Sequence, residues 1–258
     1  MSAHPLGKSE GPVGAFSIFN ADAAAHRPRG AAPQRLPDRR RHRVFVTGGT
    51  GYIGRQLIPY LAARGHEVVA LVRPGRAEAL PEGCLAVEGN ALDPASYGNS
   101  LVGADTLVHL VGVAHPSPAK AAAFRDVDLA SVRAACGAAQ RAGVAHFVYL
   151  SVAQPAPVMG AYIAARREGE ALTRNTGLAA TILRPWYVMG PGHRWPLVLV
   201  PAYWLAERIP ATRGMALRLG LVRLQEMVGA LVAVVEAPPC DVRLVEVPDI
   251  RRLGSRQA

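Results

Sequence analysis

Residues 44–54 read Val44-Phe45-Val46-Thr47-Gly48-Gly49-Thr50-Gly51-Tyr52-Ile53-Gly54. The apolar, β-branched opening reads as a strand, and Ile53, Leu57 and Leu61, recurring every four residues, make one stripe of a helix that follows. The glycines between them have separate tasks. Gly48 permits a tight turn, Gly51 lets the backbone approach a pyrophosphate, and Gly54 lets the helix pack closely on the strand. A phosphate would rest on the helix N-terminus, where unpaired N–H groups and the dipole favour an anion. Glycine spacing alone also fits an ordinary tight turn. What favours a nucleotide is the second strand, ending about twenty residues further on, where the mechanism needs it.

Outward from this unit, short β-branched runs alternate with Ala-rich helical stretches, the pattern of βαβ units and a parallel sheet. Strands are expected over Arg43–Thr47, Glu67–Val72, Cys84–Glu88, Thr106–Leu110, His146–Ser151 and Ala180–Arg184, with a last one over Val242–Val247. Helices are expected over Tyr52–Arg64, Pro94–Val102, Ala119–Ala142, Ala161–Thr176 and Gln225–Glu236. Pro59 removes one hydrogen bond from the first of these and should bend it. After Pro185 the regularity fades, although Leu197–Leu205 is strongly apolar. The expected fold class is α/β, a doubly wound parallel sheet with a small C-terminal substrate or lid region from about residue 186. Residues 1–42, with Pro5, Pro12, Pro28, Pro33, Pro37 and Arg39-Arg40-Arg41, read as a basic, disordered tail. Their scarce serine and interrupting acids argue against an organelle transit segment.

Half of the 258 residues are hydrophobic and 19% are charged, so the chain can bury a core of ordinary density. Cys84, Cys136 and Cys240 lie far apart, with no CxxC pair and no histidine at zinc spacing. That pattern excludes a disulfide scaffold and a structural metal and points to a reducing, cytoplasmic setting. The formal charge of +10 is uneven: residues 1–43 carry 8 basic against 3 acidic residues, 44–183 carry 11 against 10, and 184–258 carry 10 against 6. With a nearly neutral body there is no clustered basic face for nucleic acid. No run reaches the eighteen or so apolar residues of a membrane span. The segment Trp195–Arg223, which includes Trp204, Arg208, Arg213 and Arg218, nevertheless suits peripheral attachment to an anionic lipid surface.

The turn from Thr47 to Gly54 resembles the TGxxGxxG turn of extended and atypical short-chain dehydrogenases/reductases. Val108-His109-Leu110-Val111-Gly112 and Phe147-Val148-Tyr149-Leu150-Ser151 extend the resemblance. Leu183-Arg184-Pro185 through Gly190-Pro191-Gly192 is similar to the LRPxxVxGPG segment of the NAD-dependent epimerase/dehydratase group. Within that group the chain resembles the atypical branch that holds NmrA-like sensors and the Rossmann-fold accessory subunit of respiratory complex I. The resemblance implies cofactor contacts from Thr47, Gly48, Thr50, Gly51, Tyr52, Ile53, Gly54 and Arg55, and from His109, Leu110, Tyr162, Arg166 and Pro185. Asn90 stands where the family commonly has an Asp on the adenine.

At the end of the second strand a binder of NAD places a carboxylate on the ribose hydroxyls, whereas NADP favours an arginine on the 2′-phosphate. Here Val72-Arg73-Pro74 follows, with no carboxylate from Val68 through Gly75, so Arg73 points to NADP, with NAD left open. Carbonyl reduction by a nicotinamide also needs a proton donor. Tyr162-Ile163-Ala164-Ala165-Arg166 stands where the family carries Tyr-x-x-x-Lys, and the four-residue spacing puts Tyr162 and Arg166 on one helical face. If arginine drift alone replaced the lysine, Arg166→Lys should raise activity. Ser151 is the candidate for holding a substrate oxygen, Asp128 replaces the family Asn, and Glu170 reads as structural. His115, Lys120, His193 and Arg194 are loop candidates for selecting an acidic or phosphorylated substrate, and Trp186 and Tyr187 for lining the nicotinamide pocket. Two functions stay open: an NADP-dependent oxidoreductase or epimerase acting on a small carbonyl or alcohol, and a non-catalytic NADP(H)-binding sensor or accessory subunit of a membrane-bound complex. A third, weaker reading is an interaction through the tail.

Overall fold

A computed structural model of the chain describes residues 41–192 and 200–256. The elements in order are β1 (Arg43–Thr47), α1 (Gly54–Ala63), β2 (Glu67–Val72), β3 (Leu85–Glu88), β4 (Thr106–His109), α2 (Ala121–Ala123), α3 (Ala130–Ala142), β5 (His146–Leu150) and α4 (Gly160–Arg174). There follow β6 (Ala179–Arg184), β7 (Tyr187–Met189), α5 (Val200–Ala206), α6 (Pro210–Arg218), β8 (Leu221–Arg223), α7 (Leu224–Glu236), β9 (Val242–Glu246) and α8 (Val247–Gly254).

The main sheet has the order β3-β2-β1-β4-β5-β6-β9 with every pair parallel. The inner strands β2, β1, β4, β5 and β6 are apolar on successive residues because helices cover both faces, whereas the edge strands β3 and β9 are more exposed. In β1, Val44 and Val46 join a cluster with Leu57 and Leu61 of α1 and Leu231 of α7. Phe45, pointing the other way, joins Val132 and Ala139 of α3. All three β1 side chains are fully buried, each stabilising the fold by about 1.5–3 kcal/mol relative to exposure. A charge at Val46 would break both the cluster and the strand that feeds the glycine turn.

The strand and helix expectations hold to within a residue or two, with two informative departures. Pro94–Val102 is not one helix but two 3-10 turns, Pro94–Ser96 and Gly98–Leu101. The Asp93 side chain accepts from the Ala95 N–H at 3.0 Å to start the first, and Gly98, Asn99 and Ser100 are poor helix formers. Ala119–Ala142 is interrupted by a π-helical segment, Phe124–Leu129, between α2 and α3. The wide turn brings Asp128 inward, where it is 1% exposed. α1 runs through Pro59 to Ala63.

In the described part of the stretch expected as a lid from residue 186, β7 and β8 form a separate two-stranded pair, with α5 and α6 between them in the chain. The chain then returns: α7 packs against α1 and α8, and β9 adds a seventh strand beside β6. The tail expectation covers residues 1–42; all but Arg41 and His42 lie outside the described residues, and His42 is buried, its N–H donating to His66 Nδ1 at 3.2 Å. Among the described residues no helix is long and apolar enough to cross a membrane.

Candidate functional site

Strand order reverses between β1 and β4, so the crevice of a doubly wound sheet opens at the C-terminal ends of these strands. A cleft of about 610 Å³ lies there, bounded by the glycine turn, the ends of β2 and β4 and the Gly89–Leu92 loop. Gly48 has φ +79°, and a Cβ on it would stand 2.9 Å from the Leu110 carbonyl carbon, so both conformation and space demand glycine. A Cβ on Gly54 would drive into the Gly48 carbonyl, which is the close helix–strand approach expected of the third glycine. Gly51 differs: it is exposed and lines the cleft, and a Cβ there meets only the Gly48 oxygen, at 3.1 Å. The site therefore leaves room for a phosphate where the helix begins. α1 has no capping side chain and no acidic residue in its first turn, so its positive end faces the cleft unopposed.

Gly48, Thr50, Gly51, Arg55, Arg73, Asn90 and Leu110 all line this cleft. Arg76, which sequence reasoning missed, joins Arg55 and Arg73; the signal was present in the turn Arg73-Pro74-Gly75-Arg76, where the Arg76 N–H donates to the Arg73 carbonyl at 3.1 Å. No carboxylate lines the cleft among the described residues. Glu88, at the end of β3, accepts from the Gly75 N–H at 3.0 Å.

Other expected contacts are set deeper. Thr47 and His109 face each other in the β1–β4 register, are fully buried, and share a 2.8 Å hydrogen bond, while Ser131 lies 3.3 Å from the other ring nitrogen of His109. They brace the cleft from below instead of lining it, because the register that pairs them turns both side chains into the core. Burial, with the Arg166 charge, pushes the His109 imidazole down to about 3, so it is neutral. Tyr52 and Ile53 pack on the core cluster of α1 and α7, and Tyr52 lies against Gly190. Pro185 is buried, its carbonyl accepting from the Ala153 N–H at 2.9 Å.

On α4, Tyr162 is half-buried, with its ring 5.0 Å from that of Phe124, and the Arg166 guanidinium sits 5.2 Å from the Tyr162 ring centroid. Arg166 is only 5% exposed. It lies 2.6 Å from Asp128 Oδ1 and donates to the Leu150 carbonyl at 2.8 Å; Asp128 Oδ2 accepts from the Val113 N–H at 2.9 Å. A Cβ on Gly112, in the cleft wall, would collide with this guanidinium, so Gly112 makes the space that Arg166 fills. Burial raises the Asp128 carboxyl above its ordinary value, against the opposing Arg166 charge and Val113 N–H. The arrangement clamps the cleft wall, the end of β5 and the helix that carries Tyr162.

Ser151 goes elsewhere. It is 3% exposed, and its hydroxyl donates to Glu170 Oε1 at 2.7 Å, committing its single proton away from any substrate. Glu170, fully buried, also accepts from Gln154 at 2.7 Å, Arg184 at 2.7 and 2.5 Å, and Arg174 at 3.2 Å. Burial pushes its carboxyl up, but the Arg184, Ser151 and Arg174 donors outweigh that and hold it below the usual value. Of the loop candidates, Lys120 spends its ammonium on the Ala114 and His115 carbonyls, at 2.7 and 3.0 Å. Trp186 and Tyr187 are half-buried at the start of β7, and His193 and Arg194 lie outside the described residues. Among the described residues no group of three or more His, Cys, Asp or Glu is placed to hold a metal ion.

A doubly wound sheet with a glycine turn and a cationic cleft defines a dinucleotide-binding protein. Residues 48–194 match the NAD(P)H-binding family, and the chain belongs to that family, within the short-chain dehydrogenase/reductase superfamily. It is 31% identical over 216 residues to a ceramide reductase of Caulobacter vibrioides, a match covering 82% of this chain and 66% of that one. It is 30% identical over 222 residues to a 3-diazoavenalumate denitrifying reductase of a Streptomyces species, covering 76% and 72%. The chain thus spans about two thirds of the first relative's length. A Bordetella bronchiseptica enzyme solved with NAD+ shares the fold, with a TM-score of 0.61 at 20% identity over 83% of this chain and 79% of that one.

Proposed function

We propose that the chain is an NADP-dependent oxidoreductase acting on a carbonyl or alcohol. The carrying observation is that Arg55, Arg73 and Arg76 surround the cleft with no carboxylate among its lining residues. A 2′-phosphate gains charge-assisted contacts there, whereas a bare ribose hydroxyl finds no carboxylate among the lining residues. The nicotinamide cofactor, when bound, supplies or takes the hydride. Tyr162 gives or takes the proton at its phenolic oxygen, and Arg166, locked on Asp128, holds a positive charge against its ring. A substrate with a large apolar part is supported by the relative named for ceramide.

Titration should show NADPH binding at least about tenfold more tightly than NADH, a difference of about 1.4 kcal/mol. Arg73→Asp should erase the preference, and equal affinities in the wild type would refute it. With a turned-over ketone in hand, Tyr162→Phe should lower turnover by about two to four orders of magnitude while leaving NADPH affinity nearly unchanged. The second reading, a non-catalytic NADP(H) binder, is favoured by one observation: the Ser151 hydroxyl is held by Glu170. It wins if the protein binds NADPH but turns over no aldehyde, ketone or sugar nucleotide.

A further inference from the structure

Within the twelve residues from Trp204 to Met215 the protein exposes four large apolar side chains: Trp204 at 57%, Leu205 at 55%, Ile209 at 44% and Met215 at 49%. They lie on α5, α6 and the turn between, beside exposed Arg208 and Arg213. The Arg208 guanidinium stacks 3.4 Å from the Trp204 ring centroid and donates to the Trp204 carbonyl at 3.2 Å. The one carboxylate between Pro201 and Arg218, Glu207, is already held by Arg251 at 3.3 Å. An outward apolar face flanked by cations, with its single acid neutralised, is complementary to a surface that is apolar beneath and anionic at the rim. A second copy of the chain fits less well: a stable dimer buries about 800 Å² and some 20–30 residues per partner, more than this short stretch presents.

We propose that the α5–α6 face docks peripherally on anionic phospholipid. Its orientation is set by a further contact: Arg218, at the end of α6, donates to the Pro155 carbonyl at 3.2 Å, on the turn between β5 and α4. That contact puts one end of α6 beside the loop that leads into α4, while α6 itself packs on α8. The inference stands apart from the proposed activity, because attachment needs no nucleotide.

The test is co-sedimentation of the full chain with phosphatidylcholine vesicles, with and without phosphatidylglycerol. Binding should need phosphatidylglycerol and be released by high salt, which screens charges beyond a few ångströms. Arg208→Gln/Arg213→Gln should lower the partition about thirty-fold, at roughly a tenfold loss for somewhat more than each kcal/mol per cation. Trp204→Ser/Ile209→Ser should abolish it; both pairs are exposed, and unchanged NADPH affinity and melting temperature confirm that the variants fold. Absence of binding at low salt would overturn the proposal. So would equal binding by the Trp204→Ser/Ile209→Ser variant, which would assign attachment to the basic N-terminal residues. A dimer in light scattering that this variant dissociates would identify the face as an interface between copies and overturn it too.

Discussion

Leu150 and Ser151 are neighbours at the end of β5, yet each connects to a different buried acid–arginine centre. The Leu150 carbonyl accepts from Arg166, which is paired with Asp128. The Ser151 hydroxyl donates to Glu170, which is paired with Arg184. The two centres have opposite electrostatic balance. Glu170 receives four side-chain donors besides burial and is held below its ordinary pKa; Asp128 has one guanidinium and one backbone N–H and is raised above it. Arg166 Nε makes no hydrogen bond although it is buried. A fully satisfied network fixes structure, and an incompletely satisfied one beside a cleft is where function is to be sought.

The largest effect should come from the satisfied centre. Glu170→Gln removes the charge that three side-chain types of donor converge on and should cost about 3–5 kcal/mol in urea unfolding. A loss under about 1 kcal/mol would show that the two centres are not different in kind.

Next come the paired changes at the other centre. Arg166→Lys alone offers a single ammonium where two guanidinium nitrogens now reach Asp128 and Leu150, so it should lower turnover about ten- to hundredfold. The expectation that lysine would restore activity therefore changes once Asp128 is seen as its partner. Asp128→Asn alone should also impair, and the double variant should recover at least about 1 kcal/mol of the summed loss in a double-mutant cycle on stability. Strict additivity would separate Asp128 from Arg166.

Acid should discriminate further. His109 and His146 are pushed down to about 3 and 4, mainly by burial, so both fold neutral. Their contribution is complete above the unfolded value near 6.5 and is lost as pH falls toward the folded values, because the unfolded chain takes up protons that the folded one refuses. Between about pH 6 and 4.5 stability should fall by up to about 1.4 kcal/mol per pH unit for each histidine. The Glu170 contribution should vanish only at lower pH, as its depressed carboxyl protonates. His109→Gln should remove half of the upper slope, read from urea midpoints across pH.

The smallest effect concerns the open cleft: Arg76→Ala should weaken NADPH by about two- to fivefold and leave NADH unchanged, an exposed cation contributing little singly. An equal loss for both nucleotides would place Arg76 away from the 2′-phosphate.

Much of this was legible in sequence for a physical reason. The inner strands β1, β2, β4, β5 and β6 announce themselves because a sheet covered on both faces needs unbroken apolar runs, and Gly48 and Gly54 because a Cβ at either would meet backbone. Tyr162 and Arg166 were found together because helical spacing is local. The Asp128–Arg166 pair was not, since a π-helical turn, invisible to residue periodicity, rotates Asp128 inward. The Ser151 bond was hidden for a similar reason: which of its neighbours takes its proton depends on Glu170, nineteen residues away.

What the sequence determined by itself is the class: the alternating runs, the glycine turn and the absent carboxylate after β2 are properties of contiguous residues. Only the tertiary structure decided which side chains face the cleft and which brace it. The β1–β4 register buries Thr47 against His109, and α6 packs on α8 while the large side chains Trp204, Leu205, Ile209 and Met215 of the α5–α6 stretch are left exposed. Such outcomes depend on packing between segments far apart in the chain, where the competition for buried partners is settled by geometry that no local pattern records.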